Sequence, residues 1–531
     1  MSVTLASPNQ PTAIAFTGGR ILTLDATLGE PEVLIIDNGR IAAAGERALL
    51  QAYAGVAVEP LGGRTLVPGF IDAHNHLSIA ALHPLWADLS QVRSLEEMKQ
   101  ALAAQAAREP EARWIRGANW NEVTTNVLPD RHDLDALGFD RPVIVAHYTL
   151  HQGVVSSHGL DDLGIGPETP DPPGGVIARG TDGKPSGLLV ECAWSQAHAR
   201  SLAAYRQPER WAELIAARGR QLLRDGITCV HDAACSPAAE AVYRALHRAG
   251  TLPLAVLMMP HPEAILTGLA PERLEGPLTG DGDEWLRVGP LKLFADGGIA
   301  PAMDVSIAGM RSAFGIEIPG LAAGVAQAVE RGFRVAVHAI GNVGLRNALA
   351  AFSLAARARD LDHRFRVEHA CLASPPQIEE MASLGAVGVV QPGFLHHIGQ
   401  AVEAVPWDEE IWLPFGAMAA AGVALAASSD DPCAFHQPLL TAACGTTRRT
   451  GSGGVLGLEQ ALGYERWLHA YSAGAAYAGG QEHERGTLTP GKRADLVVLE
   501  GALEAEHPPR VRQTWVAGRL AYGEPLPRAG T

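Results

Sequence analysis

Lysine is almost missing from this chain of 531 residues: of 42 basic residues only four are lysines, at positions 99, 184, 292 and 492. Long apolar runs are missing as well. The longest, Ala417 to Ala427, is alanine-rich and well short of the roughly 20 residues a membrane-crossing helix needs. Residues 1–10 (Met-Ser-Val-Thr-Leu-Ala-Ser-Pro-Asn-Gln) hold no basic region followed by an apolar core, so a cytoplasmic protein without a leader is expected. Cysteine is sparse, with six residues at 192, 229, 235, 371, 433 and 444 and no C-x-x-C spacing. That pattern argues against a thiolate metal site or a disulfide framework and leaves the cysteines as small buried hydrophobes. Excess positive charge is absent too. A net charge of -16 gives no attraction to nucleic acid or an anionic membrane, which leaves a small-molecule substrate as the expected partner and a homodimer as the assembly to test for.

What is present is apolar substance in a particular order. A hydrophobic content of 47% over this length supports a large core and more than one structural unit. Short alternating runs separated by Gly, Asn and Asp fill residues 12–66, and the same texture returns only in Ala494–Leu499 and Gln513–Ala521. Asp37-Asn38-Gly39-Arg40 and Val516-Ala517-Gly518-Arg519 read as comparable hairpin turns. Both chain ends (1–66 and 485–531) are therefore expected to build one composite β-sandwich. Between them, over 67–484, strand-like runs alternate with helical stretches such as Pro208–Asp225, Gly320–Arg331, Gly344–Arg359 and Pro375–Leu384. That order predicts an α/β fold, a (β/α)8 TIM barrel. An open doubly wound sheet is the weaker alternative, because no G-x-G-x-x-G opens a helix. Residues 80–220 interrupt the count with Pro170-Asp-Pro-Pro-Gly-Gly175 and three aromatic pieces around Trp86, Trp114 and Trp120. They are read as an insertion beside the first barrel strand that supplies substrate-binding walls, Trp120 among them.

Five apolar runs end in residues that bind metals: Gly69-Phe-Ile-Asp-Ala-His-Asn-His76, Leu291-Lys-Leu-Phe-Ala-Asp-Gly297, Val335-Ala-Val-His-Ala-Ile-Gly341, Arg366-Val-Glu-His-Ala370 and Leu425-Ala-Ala-Ser-Ser-Asp-Asp-Pro432. Buried strands ending together would bring His74, His76, Lys292, His338, His369 and Asp430 to one place. His74 and His76, at i and i+2, share a strand face and can grip one ion. An isolated strand histidine is more often a hydrogen-bonded structural residue, and taken singly His338 and His369 are weak signals, whereas the His74/His76 pair directly after Pro-Gly-Phe-Ile-Asp favours ligation. Lys292 is the only lysine in a strand-like apolar setting, where an unpaired ammonium is costly. Its neutral amine can add carbon dioxide and become an anionic oxygen ligand, as an always-charged guanidinium cannot; the plain alternative is a buried ion pair with Asp296. Asp430 would bind metal and move the proton of a metal-activated water, with Asp431 as its competitor. His231 and Asp232 also end an apolar run and are read as supporting rather than ligating residues. His396 and His397, after Val389-Val-Gln-Pro-Gly-Phe394, read either as pocket-lining or as surface-loop histidines.

These segments together resemble the amidohydrolase superfamily, in particular its YtcJ-like (amidohydrolase 3) branch, which includes N-substituted formamide deformylases. Further support comes from Trp114-Ile-Arg-Gly-Ala-Asn-Trp120, Gly174-Gly-Val-Ile177 with Gly187-Leu-Leu-Val-Glu191, Gly226-Ile-Thr-Cys-Val-His-Asp232 and Gly486-Thr-Leu-Thr-Pro-Gly-Lys-Arg-Ala-Asp-Leu496. The resemblance implies a barrel with a β-sandwich, one or two divalent metal ions, usually zinc, a carboxylated Lys292 and Asp430 as catalytic base. It also implies that His151 lies near substrate. The chain departs from that pattern at Thr149-Leu-His-Gln-Gly153, at His158, where an asparagine is common, and at Asn342, where an aspartate is frequent. The function expected is hydrolysis of a non-peptide C–N bond in an amide, N-substituted formamide or cyclic amide. The alternatives are a lactonase or ester hydrolase, a deaminase, a more distant decarboxylase and a non-catalytic binding module. A deaminase of this superfamily carries a glutamate shortly after the third histidine, whereas Gly341 and Asn342 follow His338.

Overall fold

The computed structural model describes residues 13–53, 55–267, 271–358 and 364–525. The expected leader-free N-terminus, the outermost parts of the two terminal segments and the last residue of the expected Gly344–Arg359 helix lie outside the described residues.

The architecture is mixed α/β, and its centre is two all-parallel sheets. One has the order Leu286–Val288, Ala255–Pro260, Ile227–Cys235, Phe70–Asn75. The other runs Leu291–Phe294, Val335–Ala339, Arg366–His369, Val387–Val390, Ala424–Ala427. Parallel strands covered on both faces must be apolar nearly throughout, and Ile227–Cys235 and Val335–Ala339 are buried at every position. Helices return the chain between strands: Pro208–Arg224, Pro237–Arg248, Leu321–Arg331, Asn342–Ala358, Pro375–Ser383 and Phe415–Ala420. The two sheets adjoin at both edges. Only Gly289 and Pro290 separate Leu286–Val288, at the edge of one sheet, from Leu291–Phe294, at the edge of the other. At the other edge Asp430 N–H donates to His74 O and His76 N–H to Asp431 O, each at 2.8 Å.

Strands from both chain ends pair in one sheet, beside a second sheet from the N-terminal segment. A four-stranded sheet orders Arg40–Gly45, Val33–Asp37, Ala13–Thr17 and Ala57–Pro60, and a five-stranded sheet orders Arg20–Ile21, Thr65–Pro68, Leu496–Glu500, Arg510–Val516 and Arg519–Tyr522. Thr65–Pro68 pairs antiparallel with Leu496–Glu500. Phe16, Ile36, Leu66, Leu496, Val498 and Trp515 form a core common to both sheets. In both hairpin turns the two central residues have positive φ (48° and 79° at Asn38 and Gly39, 46° and 73° at Ala517 and Gly518), as a two-residue hairpin of primed type requires. The turns abut: a Cβ on Gly39 would lie 2.9 Å from Ala517 O.

Residues 80–220 hold a six-stranded sheet of their own, in the order Gly175–Arg179, Pro185–Glu191, Gln152–Val155, Val143–His147, Ile115–Trp120, Ala87–Asp88, with separate apolar clusters. All six cysteines are free, and Cys229, Cys235, Cys371 and Cys433 are buried. Among the described residues no helix is long and apolar enough to cross a membrane.

Candidate metal centre

The parallel strands deliver their C-terminal residues to one place. His74 leaves Phe70–Asn75, Lys292 lies in Leu291–Phe294, His338 in Val335–Ala339 and His369 ends Arg366–His369. Asp430 follows Ala424–Ala427 by three residues and is tied there by its neighbour: Ser429 donates to Asp72 through its N–H at 2.9 Å and its hydroxyl at 2.5 Å. Asp72 is buried, and burial raises its carboxyl to about 6 against the hydrogen bonds of Ser429 and Asn75. One nitrogen or oxygen from each of His74, His369 and Asp430 lies within 4.8 Å of the others. His76 Nε2 is 3.1 Å and His74 Nε2 3.4 Å from Asp430 Oδ1. The His338 ring centre is 4.6 Å from that of His369.

Hydrogen bonding fixes which nitrogen each imidazole presents. Nδ1 faces Glu368 Oε2 at 2.5 Å in His74, Ala233 O at 2.9 Å in His76 and Gln391 Oε1 at 2.9 Å in His369. Each partner is an acceptor, so the proton sits on Nδ1 and the Nε2 lone pair is left for the centre. Burial brings His74 down to about 4 and His369 to about 3, with His338 well below its ordinary value, whereas His76, against the effect of its burial, is raised by the hydrogen bond and charge of Asp430. His338 Nε2 is buried with no hydrogen-bond partner among the described residues. Neutral imidazole nitrogens beside a carboxylate are the donor set that zinc and its neighbours prefer, so these residues fit a divalent ion.

Lys292 is 1% exposed. Burial brings its amine down to about 8 against the nearby carboxylates of Glu368 and Asp430, and its Nζ lies 4.6 Å from the centre of the Phe294 ring. The alternative partner, Asp296, is engaged elsewhere. It accepts the N–H groups of Ala302, Ile340 and Gly341 at 3.1, 3.0 and 2.8 Å, and burial pushes it up to about 8. The two neighbouring aspartates also separate. Asp430, although buried, is held below the usual carboxylate range by its hydrogen bond to His76. Asp431 points the other way, and both its oxygens lie 2.8 Å from Arg218 Nη2.

A cavity of about 230 Å³ opens over these groups. His151 and His397 are in its wall, and His151 Nδ1 is 2.6 Å from Glu191 Oε2. Trp120 is not in the wall, contrary to the expected substrate contact. It is 2% exposed in the core of the six-stranded sheet, and its Nε1–H donates to Val127 O at 2.8 Å. His396 lies beside Phe435, ring centres 5.7 Å apart, outside the cavity wall. His231 and Asp232 do not join the centre: His231 Nδ1 is 3.1 Å from Arg366 Nη1, and Asp232 accepts from Ser78 N–H and Tyr243 O–H at 3.2 and 3.0 Å. Asn342 Oδ1 accepts Asp304 N–H at 2.9 Å, and His158 is exposed on a short helix.

Four residues that hold the centre together went unnoticed in the sequence reading: Asp72, Glu191, Glu368 and Gln391. Glu368 had a usable signal, since Arg366 and Glu368 are opposite charges at i and i+2 of a buried strand. They form an ion pair at 2.8 Å with both side chains fully buried.

The sequence profile of the amidohydrolase family matches residues 58–522. Among curated proteins, the chain is 30% identical to the N-substituted formamide deformylase of Arthrobacter pascens, over 94% of this chain and 97% of that one. It is 27% identical to YtcJ of Bacillus subtilis (strain 168), over 95% and 98%. Among solved structures, a metal-dependent hydrolase of Pyrococcus horikoshii OT3 superposes with a TM-score of 0.73 at 24% identity, covering 93% of this chain and 99% of that one. N-isopropylammelide isopropylaminohydrolase of Burkholderia multivorans shares the fold with a TM-score of 0.52 at 16% identity, over 96% and 98%. With the family profile spanning most of its length, the chain belongs to the amidohydrolase family, in its YtcJ-like branch, and is a hydrolase of carbon–nitrogen bonds other than peptide bonds.

Proposed function

We propose that this chain is a metal-dependent amidohydrolase that uses an activated water to cleave the C–N bond of a small amide, N-substituted formamide or cyclic amide. The observation that carries the reading is the convergence of His74, His369 and Asp430 donor atoms within 4.8 Å at the floor of a cavity. The 30% identical relative named as an N-substituted formamide deformylase supports the formamide class. In this reading the two adjoining parallel sheets close as a (β/α)8 barrel over residues 67–484, 80–220 is an insertion, and the terminal sheets form a composite β-sandwich.

His74, His76, His338, His369 and Asp430 would hold the ion or ions, zinc by the chemistry of the donors, with Lys292, in carboxylated form, as a further ligand. A bound divalent ion supplies two things: polarisation of the substrate carbonyl and acidification of water. The protein supplies the rest. Asp430, unprotonated at neutral pH, takes the proton released as water adds to the carbonyl carbon and passes it to the departing nitrogen. Glu368, Gln391 and the Ala233 carbonyl keep the Nε2 atoms of three histidines aimed inward. His151, braced by Glu191, faces the reacting group.

Metal content of protein grown with zinc, together with turnover of N-formyl amines, N-acyl amino acids, cyclic imides and lactones, tests this reading. The expected outcome is bound zinc with hydrolysis of a C–N substrate. Lys292→Ala should lose metal and activity together. Asp430→Asn should keep at least one ion while turnover falls by about 10²–10⁴-fold, as for loss of a general base. Full metal and full rate in Lys292→Ala would remove the carbamate from the account.

A further inference from the structure

We infer, resting on the proposed hydrolysis at this cavity, that the substrate is uncharged, carries a bulky apolar substituent next to the scissile amide, and has no carboxylate. Two observations lead there. First, above the proposed ligand set the cavity wall is built largely of apolar side chains, including Ile79, Leu150, Ile265, Phe294, Ile340 and Trp412. Second, no arginine lines it among the described residues, in a chain that uses arginine for nearly all of its positive charge. The one cationic side chain in the wall, Lys292, lies on the floor within the ligand set, and every histidine there is either a proposed ligand or one of His151 and His397. Recognition of a substrate carboxylate normally relies on a guanidinium fork or an ammonium, and outside the proposed ligand set the wall offers neither.

The size of the cavity narrows the class further. At about 230 Å³ it falls below the range usual for drug-sized ligands, so it takes one small molecule whose apolar group fills the Ile–Phe–Trp wall while the amide reaches the floor. A carboxylate placed next to that amide would be buried in a wall that offers it the hydroxyls of Tyr148 and Thr149 and the imidazoles of His151 and His397 but no cationic side chain outside the proposed ligand set. The resulting penalty is on the order of 100-fold or more in binding.

The test is a matched pair on zinc-loaded protein: N-(2-phenylethyl)formamide and N-formylphenylalanine, which differ only by a carboxylate on the carbon attached to nitrogen. We expect kcat/KM to favour the uncharged compound by at least about 100-fold, and calorimetric affinities to show the same preference. Comparable kcat/KM values, or a preference for the acid, would overturn the inference. If neither compound is hydrolysed, the proposed reaction on formamides fails, yet the affinity ratio still decides the selectivity. Val402→Arg, at the half-buried rim, places a guanidinium where none stands and should narrow the ratio at least tenfold. An unchanged ratio in this variant would show that the missing cation is not what excludes the acid.

Discussion

Replacing Glu368 by glutamine removes one negative charge from a fully buried cluster and leaves its shape almost unchanged. Glu368 Oε2 lies 2.5 Å from His74 Nδ1, and Oε1 accepts from Arg366 Nε at 2.8 Å. Arg366 also donates to Ala73 O at 2.7 Å and faces His231 Nδ1 at 3.1 Å, and among the described residues no second carboxylate is paired with it. Breaking one side of a buried ion pair costs about 3–5 kcal/mol. The glutamine carbonyl still accepts from Arg366, which places the expected loss near the lower end, about 3 kcal/mol. The second consequence is chemical. A carboxylate can only accept, so it holds the His74 proton on Nδ1. A glutamine amide can turn its NH2 towards Nδ1, which moves the proton to Nε2 and occupies the lone pair that a metal needs. On the proposed ligand set, zinc affinity should fall about 10–100-fold.

Two assays separate these effects. Denaturant unfolding of metal-free protein reads the ion pair, and competition of zinc against a chromogenic chelator reads the tautomer. Glu368→Asp keeps the charge and should recover more affinity than Glu368→Gln. Joint replacement by apolar residues, Arg366→Met with Glu368→Leu, should destabilise less than Glu368→Leu alone, because no uncompensated charge remains. The reasoning fails if Glu368→Gln binds zinc within twofold of the parent and unfolds at the same denaturant concentration.

The neighbouring aspartates give a second comparison: Asp431→Asn should leave the rate within a few-fold while loosening the Arg218 contact, whereas Asp430→Asn loses about 10²–10⁴-fold of the rate. Equal losses in the two variants would reverse that assignment. Burial, with Arg116 and Arg218 adding to it, lowers His83 to about 4, while the unfolded chain titrates near 6.5. Below 6.5 the unfolded state therefore takes up a proton that the folded state refuses, and stability is lost progressively as pH falls from 6.5 to 4. His83→Gln should flatten the decline of the unfolding midpoint across that window, and an unchanged slope would show that His83 does not contribute. Trp120→Phe should lower stability by about 0.5–1.5 kcal/mol through the lost hydrogen bond to Val127 and leave KM unchanged. A several-fold rise in KM without a stability change would restore Trp120 as a substrate contact.

The parallel core was legible because its strands are buried on both faces and so appear as unbroken apolar runs, as in Val335–Ala339. The residues gathered at the centre were legible because a histidine or lysine at the end of such a run has few structural reasons to be there. What lay hidden was hidden by geometry. Period-two reasoning places Glu368 and His369 on opposite faces and so discourages treating both as parts of one centre. It gives no choice between Asp430 and Asp431, since a turn abolishes the alternation on which the choice would depend. Trp120 was expected in the substrate wall because it lies in a Pro- and Gly-rich stretch read as an insertion supplying such walls, whereas Ile115–Trp120 is a strand inside a six-stranded sheet whose core needs large side chains. Glu191 gave no local signal at all, because its partner His151 is 40 positions away.

The same device solves both hidden cases. His369 has φ 75° and Asp430 φ 62°, left-handed backbone that non-glycine residues adopt at a cost of order 1 kcal/mol or more. The reversal of direction at each lets adjacent side chains serve different environments. Glu368 reaches His74 and Arg366 while His369 faces the centre, and Asp430 faces the histidines while Asp431 pairs with Arg218. The strain is offset locally: Gln391 braces His369 at 2.9 Å, and Ser429, clamped to Asp72, sets the residue before Asp430. A strand end that continued in regular extended form would place one of each pair where it has no partner, with a buried charge left unpaired. The left-handed turns are thus the smaller cost, and Asp72 and Gln391, neither of which is in the proposed ligand set, are as necessary to the geometry as the ligands themselves.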